Sequence, residues 1–360
     1  MSTVHVLTNN SCPNSRAFNC PLLAARGAFR AKGVELKFHY RISPALFTGS
    51  HLWVNSNFFR PWWRSDRAGL FAFLDQARAA GTKIFWFDTT DSTWSTQFPV
   101  LPKVDLYLKS QLFADLGQYQ VKYRSGRVFT DYFDQLYQSG EDAFDYELPD
   151  QGLLQEKARL SWNTCFENYT ESRYGWAARL RQRLRPHLPL PERFAPRFTR
   201  PELERPIPLS CRLGTTYSRP SVAAHRRAII AAMARRGVDC GKLPLDKYFA
   251  EMRAAGVGIG PFGVGEITLR DFEIILCGCA LVKPDFSHLR TWPELFVPGE
   301  TCAVHRWDLA DLDETLDKLL SDWPGRVRLA RSAQERYQAA LSPEGMVRFA
   351  ARLLEHMGRT

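Results

Sequence analysis

The sequence predicts an α/β protein made of two consecutive parallel-sheet domains, and three observations predict it. Short apolar runs alternate with amphipathic helical segments in both halves of the chain, the pattern of a parallel sheet covered by helices on both faces. That alternation is interrupted by a proline-dense stretch, Pro186, Pro189, Pro191, Pro196, Pro201, Pro206 and Pro208, which breaks regular structure and reads as a connection. With 360 residues the chain also exceeds one comfortable core, since single cores stop growing at roughly 250–300 residues.

In chain order, Val4–Thr8 reads as a strand, Pro21–Lys32 as a helix stopped by Gly33, and Val34–Tyr40 as the next strand, a first β-α-β unit. His51–Asn55 is a short strand, Ala68–Ala80 a helix closed by Gly81, Lys83–Phe87 a buried strand ending at Asp88, and Val104–Leu108 another strand. The aromatic and acidic tract Tyr119–Tyr146 lacks periodicity and is expected to be a loop-rich insertion, followed by a helix over Asp150–Trp162. Past the prolines, strand Ile207–Arg212, helix Ser221–Arg236, helix Pro244–Ala255, strand Val257–Gly260, helix Leu269–Gly278 and strand Ala280–Lys283 restart the alternation. Helices over Asp308–Leu320, Gly325–Ala340 and Pro343–Met357 complete the chain. The expected division is 1–200, 201–340 and a terminal helix in 341–360.

Composition narrows the function classes. No apolar run approaches the ~18–20 residues that span a bilayer, and the first ten residues lack a basic segment followed by an apolar one, so a cytoplasmic protein is expected. Eight scattered cysteines, with no Cys-x-x-Cys pair, are expected to be free thiols and not zinc ligands. The net charge of +10 suits nucleic acid, an anionic membrane or a phosphorylated substrate. No nucleic-acid motif accompanies it, and its densest cluster, Arg173 to Arg200, falls in the proline-rich connection, so no nucleic-acid partner is expected.

The most informative segment is Gly260-Pro-Phe-Gly-Val-Gly-Glu-Ile-Thr-Leu-Arg-Asp-Phe-Glu273, continuing through Leu276-Cys-Gly-Cys-Ala-Leu-Val-Lys-Pro-Asp285. A glycine loop, a helix carrying Phe-Glu, a small-residue turn and a buried strand ending in polar residues resemble the donor-binding half of GT-B glycosyltransferases, in the branch of spore-coat-type and polysaccharide-assembly enzymes. The likeness covers Ile207 to Leu320. It implies two Rossmann-like domains facing across a cleft, terminal helices crossing back to the first domain, and sugar transfer from a nucleotide-sugar donor to a glycan or lipid-linked acceptor. No metal and no cofactor are implied.

Residue by residue, the glycines at 260, 263 and 265 would let backbone N–H groups approach phosphate oxygens at a helix N-terminus. The resemblance gives Glu273 the ribose diol and Arg212, at a strand end, the donor phosphates. Glu266 and Glu273 have six residues between them where the two glutamates of many retaining relatives have seven, so the role of Glu266 is open between helix cap and sugar contact. Arg270 would neutralise the departing diphosphate or form a surface ion pair, Lys283 would bind phosphate, and His288 would meet sugar or diphosphate. Arg219, Arg226 and Arg227 read as helix-surface charge. In the first half, Asp88 and Asp91 follow a buried strand, and either one supplies the base that takes the acceptor hydroxyl proton in an inverting transfer; the alternative is an ordinary turn cluster. Lys109 is a lesser acceptor-facing candidate. Phe58-Phe-Arg-Pro-Trp-Trp-Arg64 suits an anionic membrane surface, an acceptor sugar, or simple anchoring of a loop in the core. A non-catalytic sugar-nucleotide or glycan-binding module, and a sugar-nucleotide epimerase or hydrolase, are the competing functions.

Overall fold

The structure, a computed structural model, describes residues 1–170, 180 and 196–358. Six strands form the first sheet: β1 (Ser2–Leu7), β2 (Val34–His39), β3 (His51–Asn55), β4 (Lys83–Asp88), β5 (Leu106–Lys109) and β7 (Ala158–Leu160). They lie in the order β2-β1-β3-β4-β5-β7, every neighbouring pair parallel. The second sheet is built from β8 (Ile207–Ser210), β9 (Ala255–Ile259), β10 (Ala280–Pro284) and β12 (Cys302–His305). It too is parallel, in the order β12-β10-β9-β8. The α/β class expected from the alternation is what the chain adopts.

The period-two rule assigns the two faces of the first sheet. Trp53, Phe85 and Phe87 point into one apolar cluster, while Leu52, Val54, Ile84 and Trp86 point into another. The first of these clusters does not stop at the end of the first half. It continues through Trp162, Phe166 and Tyr169 to Phe272, Tyr337 and Phe349, so the halves share one core. Helix α1 (Pro13–Ala24) and α2 (Arg26–Ala31) meet the last helix, Pro343–His356, which returns from the second half. Trp162 and Phe349 meet edge to face at 4.8 Å, and Tyr337 Oη donates to the Cys165 carbonyl at 2.6 Å.

Several elements differ from expectation. The first helix starts at Pro13 and continues past an internal Pro21, and its buried Asn19 is held by hydrogen bonds, accepting from Thr8 Oγ1 at 2.8 Å and donating to the Asn9 carbonyl at 2.9 Å. The segment expected to be a loop-rich insertion holds helix α3 (Val128–Tyr137), which packs against α4 (Pro220–Arg235) of the second half. The helix expected over 150–162 ends at Lys157 and gives way to β7. A strand pair also joins the halves: β6 (Gln111–Phe113) runs antiparallel to β11 (Leu289–Thr291). Local apolar patterning gives no warning of a three-residue strand whose partner lies in the other half of the chain. Pro186, Pro189, Pro191 and most of the Arg173–Arg200 cluster lie outside the described residues.

The eight cysteines are thiols and form no disulfide, and seven are buried as small core side chains. Phe59 is fully buried against Trp86, and Phe58, Trp62 and Trp63 pack on the same core, leaving Arg60 and Arg64 exposed. Of the three readings of that motif, core anchoring accounts for its aromatics. Among the described residues no helix is long and apolar enough to cross a membrane.

Candidate active site at the cleft

Ligands of open parallel sheets collect at the carboxyl ends of the strands. In the first half those ends are crowded with small polar side chains. Thr89, just past β4, donates from Oγ1 to Asn55 Oδ1 (2.9 Å) and accepts from Asn57 Nδ2 (2.8 Å), while Asn9 Nδ2 donates to the Asn57 carbonyl at 2.8 Å. This lattice ties the ends of β1, β3 and β4 together. Against it lies the glycine loop that follows β9. Between them is a cavity of about 270 Å³, lined from one side by Asn14, Thr90, Asp91 and Gln111 and from the other by Tyr217, Gly263, Gly265 and Thr268.

The two carboxylates expected at this loop mouth have opposite environments. Asp88 is fully buried, accepts from Thr90 N (2.9 Å), Thr90 Oγ1 (2.7 Å) and Tyr107 Oη, and pairs with the fully buried Lys109 at 3.3 Å. Lys109 also donates to Thr90 Oγ1 and the Ser95 carbonyl; burial pushes its ammonium down, against the pull of Asp88. Asp88 therefore shapes the 89–95 loop from beneath and is closed to an acceptor, as is Lys109, which corrects both expectations. Asp91 is exposed. Its Oδ1 accepts from Asn14 Nδ2 at 2.6 Å, and it is the one carboxylate among the described residues that line the cavity.

In the second half, Gly265 is required by its neighbour across the cleft: a Cβ there would stand 1.7 Å from the Asp91 carbonyl oxygen. At Gly260 the constraint is Asp271, whose Oδ1 would lie 2.3 Å from such a Cβ. Gly263 lines the cavity with only ordinary contacts at 3.4 Å and beyond, and Thr268 stands on the same wall. Helix α6 (Leu269–Leu276) starts after Thr268, with Asp271 Oδ2 accepting from Thr268 N at 2.9 Å; α5 (Leu245–Ala254) lies beside it.

Glu266 is neither a helix cap nor open to a ligand. Its carboxylate is 1% exposed and reaches across to the first half, where it accepts from Thr93 N (3.2 Å), Thr93 Oγ1 and Gln111 Nε2 (3.2 Å), with His288 Nε2 at 3.4 Å. Burial alone would raise its carboxyl; the hydrogen bond and charge of His288 and the Thr93 hydroxyl outweigh that and hold it below its usual range. His288 is thereby half-buried between Glu266 and the rings of Phe113 and Trp307.

Lys283 is also withdrawn from the role of phosphate ligand. It is fully buried, with Nζ 2.8 Å from Asp271 Oδ2 and 3.1 Å from the Glu266 carbonyl, and it fastens the loop to β10. Arg212 is likewise saturated: Glu251 takes its Nε and NH2 edge, and Asp239 takes NH1 at 2.5 Å. These ion pairs raise its already high basicity and leave it a brace at the end of β8. Arg226, read as surface charge, is buried and donates to the Phe262 carbonyl while lying 4.4 Å from the Tyr217 ring centroid.

Two predicted residues do come together on one face of α6. Glu273 is 7% exposed and accepts from Tyr248 Oη at 2.7 Å. Arg270 lies over the same tyrosine ring at 5.5 Å and donates to the Arg212 carbonyl at the strand end. They do not line the 270 Å³ cavity but stand on the same loop-helix unit that does. Sequence reasoning misses Asn14, Thr93, Gln111 and Arg127. Asn14 lies in the polar run after the first strand, a position where ligand contacts gather, so that signal is present. Arg127 is 7% exposed and donates to Ser92 Oγ (3.0 Å) and Ser95 Oγ (2.7 Å); burial and the nearby Arg219 push its guanidinium down to about 10.

Residues 240–351 match a family model described as glycosyl transferase-like. Two parallel α/β halves flanking a cleft, with the final helix returning to the first half, form the GT-B-like arrangement. Among solved structures, a sucrose-phosphate synthase from Thermosynechococcus elongatus is 14% identical, with 99% of each chain covered and a TM-score of 0.43. A glycosyltransferase from Rickettsia africae ESF-5 is 7% identical over 98% of this chain and 97% of that one, with a TM-score of 0.42. The GtfA/B complex is 13% identical over 85% of this chain and 57% of that one, with a TM-score of 0.40. No curated protein matches the chain in sequence.

Proposed function

We propose that this chain, glycosyl transferase-like over residues 240–351, moves a sugar from a nucleotide-sugar donor to an acceptor hydroxyl, with Asp91 as the base. The observation that carries the reading is that Asp91 is the cavity-lining carboxylate where the glycine loop meets the strand ends of the first half. Glycosyl transfer needs a base on the acceptor side and stabilisation of a departing diphosphate on the donor side. Asn14 orients the Asp91 carboxylate by its hydrogen bond. Glu273 and Arg270, on α6, are the proposed ribose and diphosphate contacts, and Gly263 the point of backbone approach. A base on the acceptor side favours inversion at the anomeric carbon. The acceptor is taken to be a glycan or lipid-linked intermediate of bacterial surface polysaccharide assembly, met at the inner face of the membrane; this rests on the motif resemblance of 207–320. The donor-binding unit is proposed to span 201–340 and the acceptor-binding unit 1–200.

The test has two stages. Melting is followed with UDP, GDP, CMP and ADP and their sugar conjugates, on the wild type and on Glu273→Ala. A ligand at 100 times its Kd adds about 2.7 kcal/mol to the folded state, an easily read rise in Tm. The donor so identified is then incubated with glycan acceptors in the presence of EDTA, and products are separated. Transfer that persists in EDTA and vanishes in Asp91→Asn is the expected result. Donor binding without consumption would mark a binding module, and consumption without acceptor an epimerase or hydrolase.

A further inference from the structure

We propose that Glu266 is a positioning residue that fixes Asp91 against the glycine loop, acting through Thr93 and Gln111 and not through a ligand. This rests on the reading of Asp91 as the base.

The geometry is a two-point grip. Gln111 Nε2 donates both to Glu266 Oε2 (3.2 Å) and to the Asp91 carbonyl (2.7 Å), and Thr93 gives its N–H and hydroxyl to the same carboxylate. One side chain of the second half thus holds both ends of the 91–93 segment. Gly265, the preceding residue, sits against the Asp91 carbonyl too closely for any side chain. Gln111 is itself held rigidly, because it pairs with Thr291 in the β6–β11 ribbon and Thr291 Oγ1 donates to the Ser110 carbonyl at 2.9 Å.

The energetics give the grip its direction. A buried carboxylate is costly unless its lone pairs are filled. Thr93 and Gln111, which supply three of the hydrogen bonds to Glu266, belong to the first half, and His288 is its partner from the second. Separating the loops would strand the charge, so the docked arrangement is the one in which Glu266 is satisfied. Since Glu266 directly follows the loop that lines the cavity at Gly263 and Gly265, a shift of that loop on seating a donor is passed to Asp91 through the carboxylate. Donor seating and placement of the base become one event.

The experiment compares wild type, Glu266→Gln, Thr93→Val and Thr93→Ser in the full chain, by amide hydrogen exchange and by transfer kinetics with the donor found in the nucleotide panel. Glu266→Gln and Thr93→Val are expected to speed exchange in the 89–96 segment, with exchange in β1 and β9 unchanged. A misplacement near 1 Å lowers kcat about a hundredfold, and the donor KM is expected to stay put. Thr93→Ser, which keeps the hydroxyl, restores both readouts. A rise in donor KM with kcat unchanged would make Glu266 a ligand contact and overturn the proposal, as would unaltered exchange at 89–96. If the wild type consumes no donor, the transferase reading falls, while the exchange measurement still decides whether Glu266 holds the loop.

Discussion

Asp88, the last residue of β4, and Asp91, in the loop that follows, lie three residues apart, and substituting each by asparagine should separate a structural carboxylate from a chemical one. Asp88 is fully buried with its charge matched by Lys109 Nζ at 3.3 Å, also fully buried. Removing one member of such a pair leaves the other charge uncompensated and costs about 3–5 kcal/mol. The amide introduced by Asp88→Asn would keep the Thr90 contacts in part, which puts the loss near the lower end, about 3 kcal/mol. At roughly 2–4 °C per kcal/mol for a unit of this size, Tm should drop by about 6–12 °C. Asp91 is exposed and takes one side-chain hydrogen bond, from Asn14, so Asp91→Asn should move stability by no more than about 0.5 kcal/mol. Its effect belongs in the rate: loss of a general base lowers kcat by roughly 10²–10⁴. Calorimetry and product-release assays on the two variants, with Asp88→Asn/Lys109→Met as control, give both numbers. The double variant should regain part of the lost stability, because no unpaired charge is left. A stable Asp88→Asn that has lost all transfer, beside a fully active Asp91→Asn, would refute the assignment and make Asp88 the base.

Two further outcomes follow from single contacts. Gly265→Ala places a methyl group 1.7 Å from the Asp91 carbonyl oxygen, so the glycine loop must draw back; transfer is expected to fall at least tenfold while nucleotide-induced stabilisation in the melting assay is retained. His5, on β1, hydrogen-bonds His39 at 2.8 Å, and burial, then the charges of His39 and Lys37, push its imidazole down to about 4. The folded protein therefore binds fewer protons at this site than the unfolded chain. Its contribution is fully present above the ordinary imidazole value and is lost as pH falls from 6.5 towards about 4, and melting curves of His5→Gln across that window should show a shallower decline than wild type.

What is legible in the sequence, and what is not, follows the range of the interactions. His51–Asn55 is bounded correctly from its residues alone, and the strand at 83 lacks only its last residue, because compact apolar runs flanked by turn residues carry their own boundary signals. The helix inside 119–146 escapes such a reading because its buried residues, Phe129, Thr130 and Phe133, answer to α4 in the other half and not to a local stripe alone. Its docking is completed by Glu141, 4% exposed, which accepts from Arg219 NH1 (3.0 Å) and from Ser221 N and Oγ at the start of α4. The charged candidates meet the same limit. Arg212, Lys283 and Asp88 sit at strand ends where ligands gather, yet each is neutralised by a carboxylate or ammonium that only folding brings near.

The sequence by itself determined the alternation of strands and helices, the two parallel sheets and the glycine-loop-to-helix unit with Glu273 on it, since these rest on periodicity and turn chemistry between neighbours in the chain. Only the tertiary structure decided that Asp91 faces the cavity while Asp88 lies beneath it, and that Glu266 spans the halves instead of capping its helix. Those outcomes depend on which partners desolvation leaves within about 3 Å of a buried charge, and partners 173 residues apart, such as Thr93 and Glu266, leave no trace in local pattern.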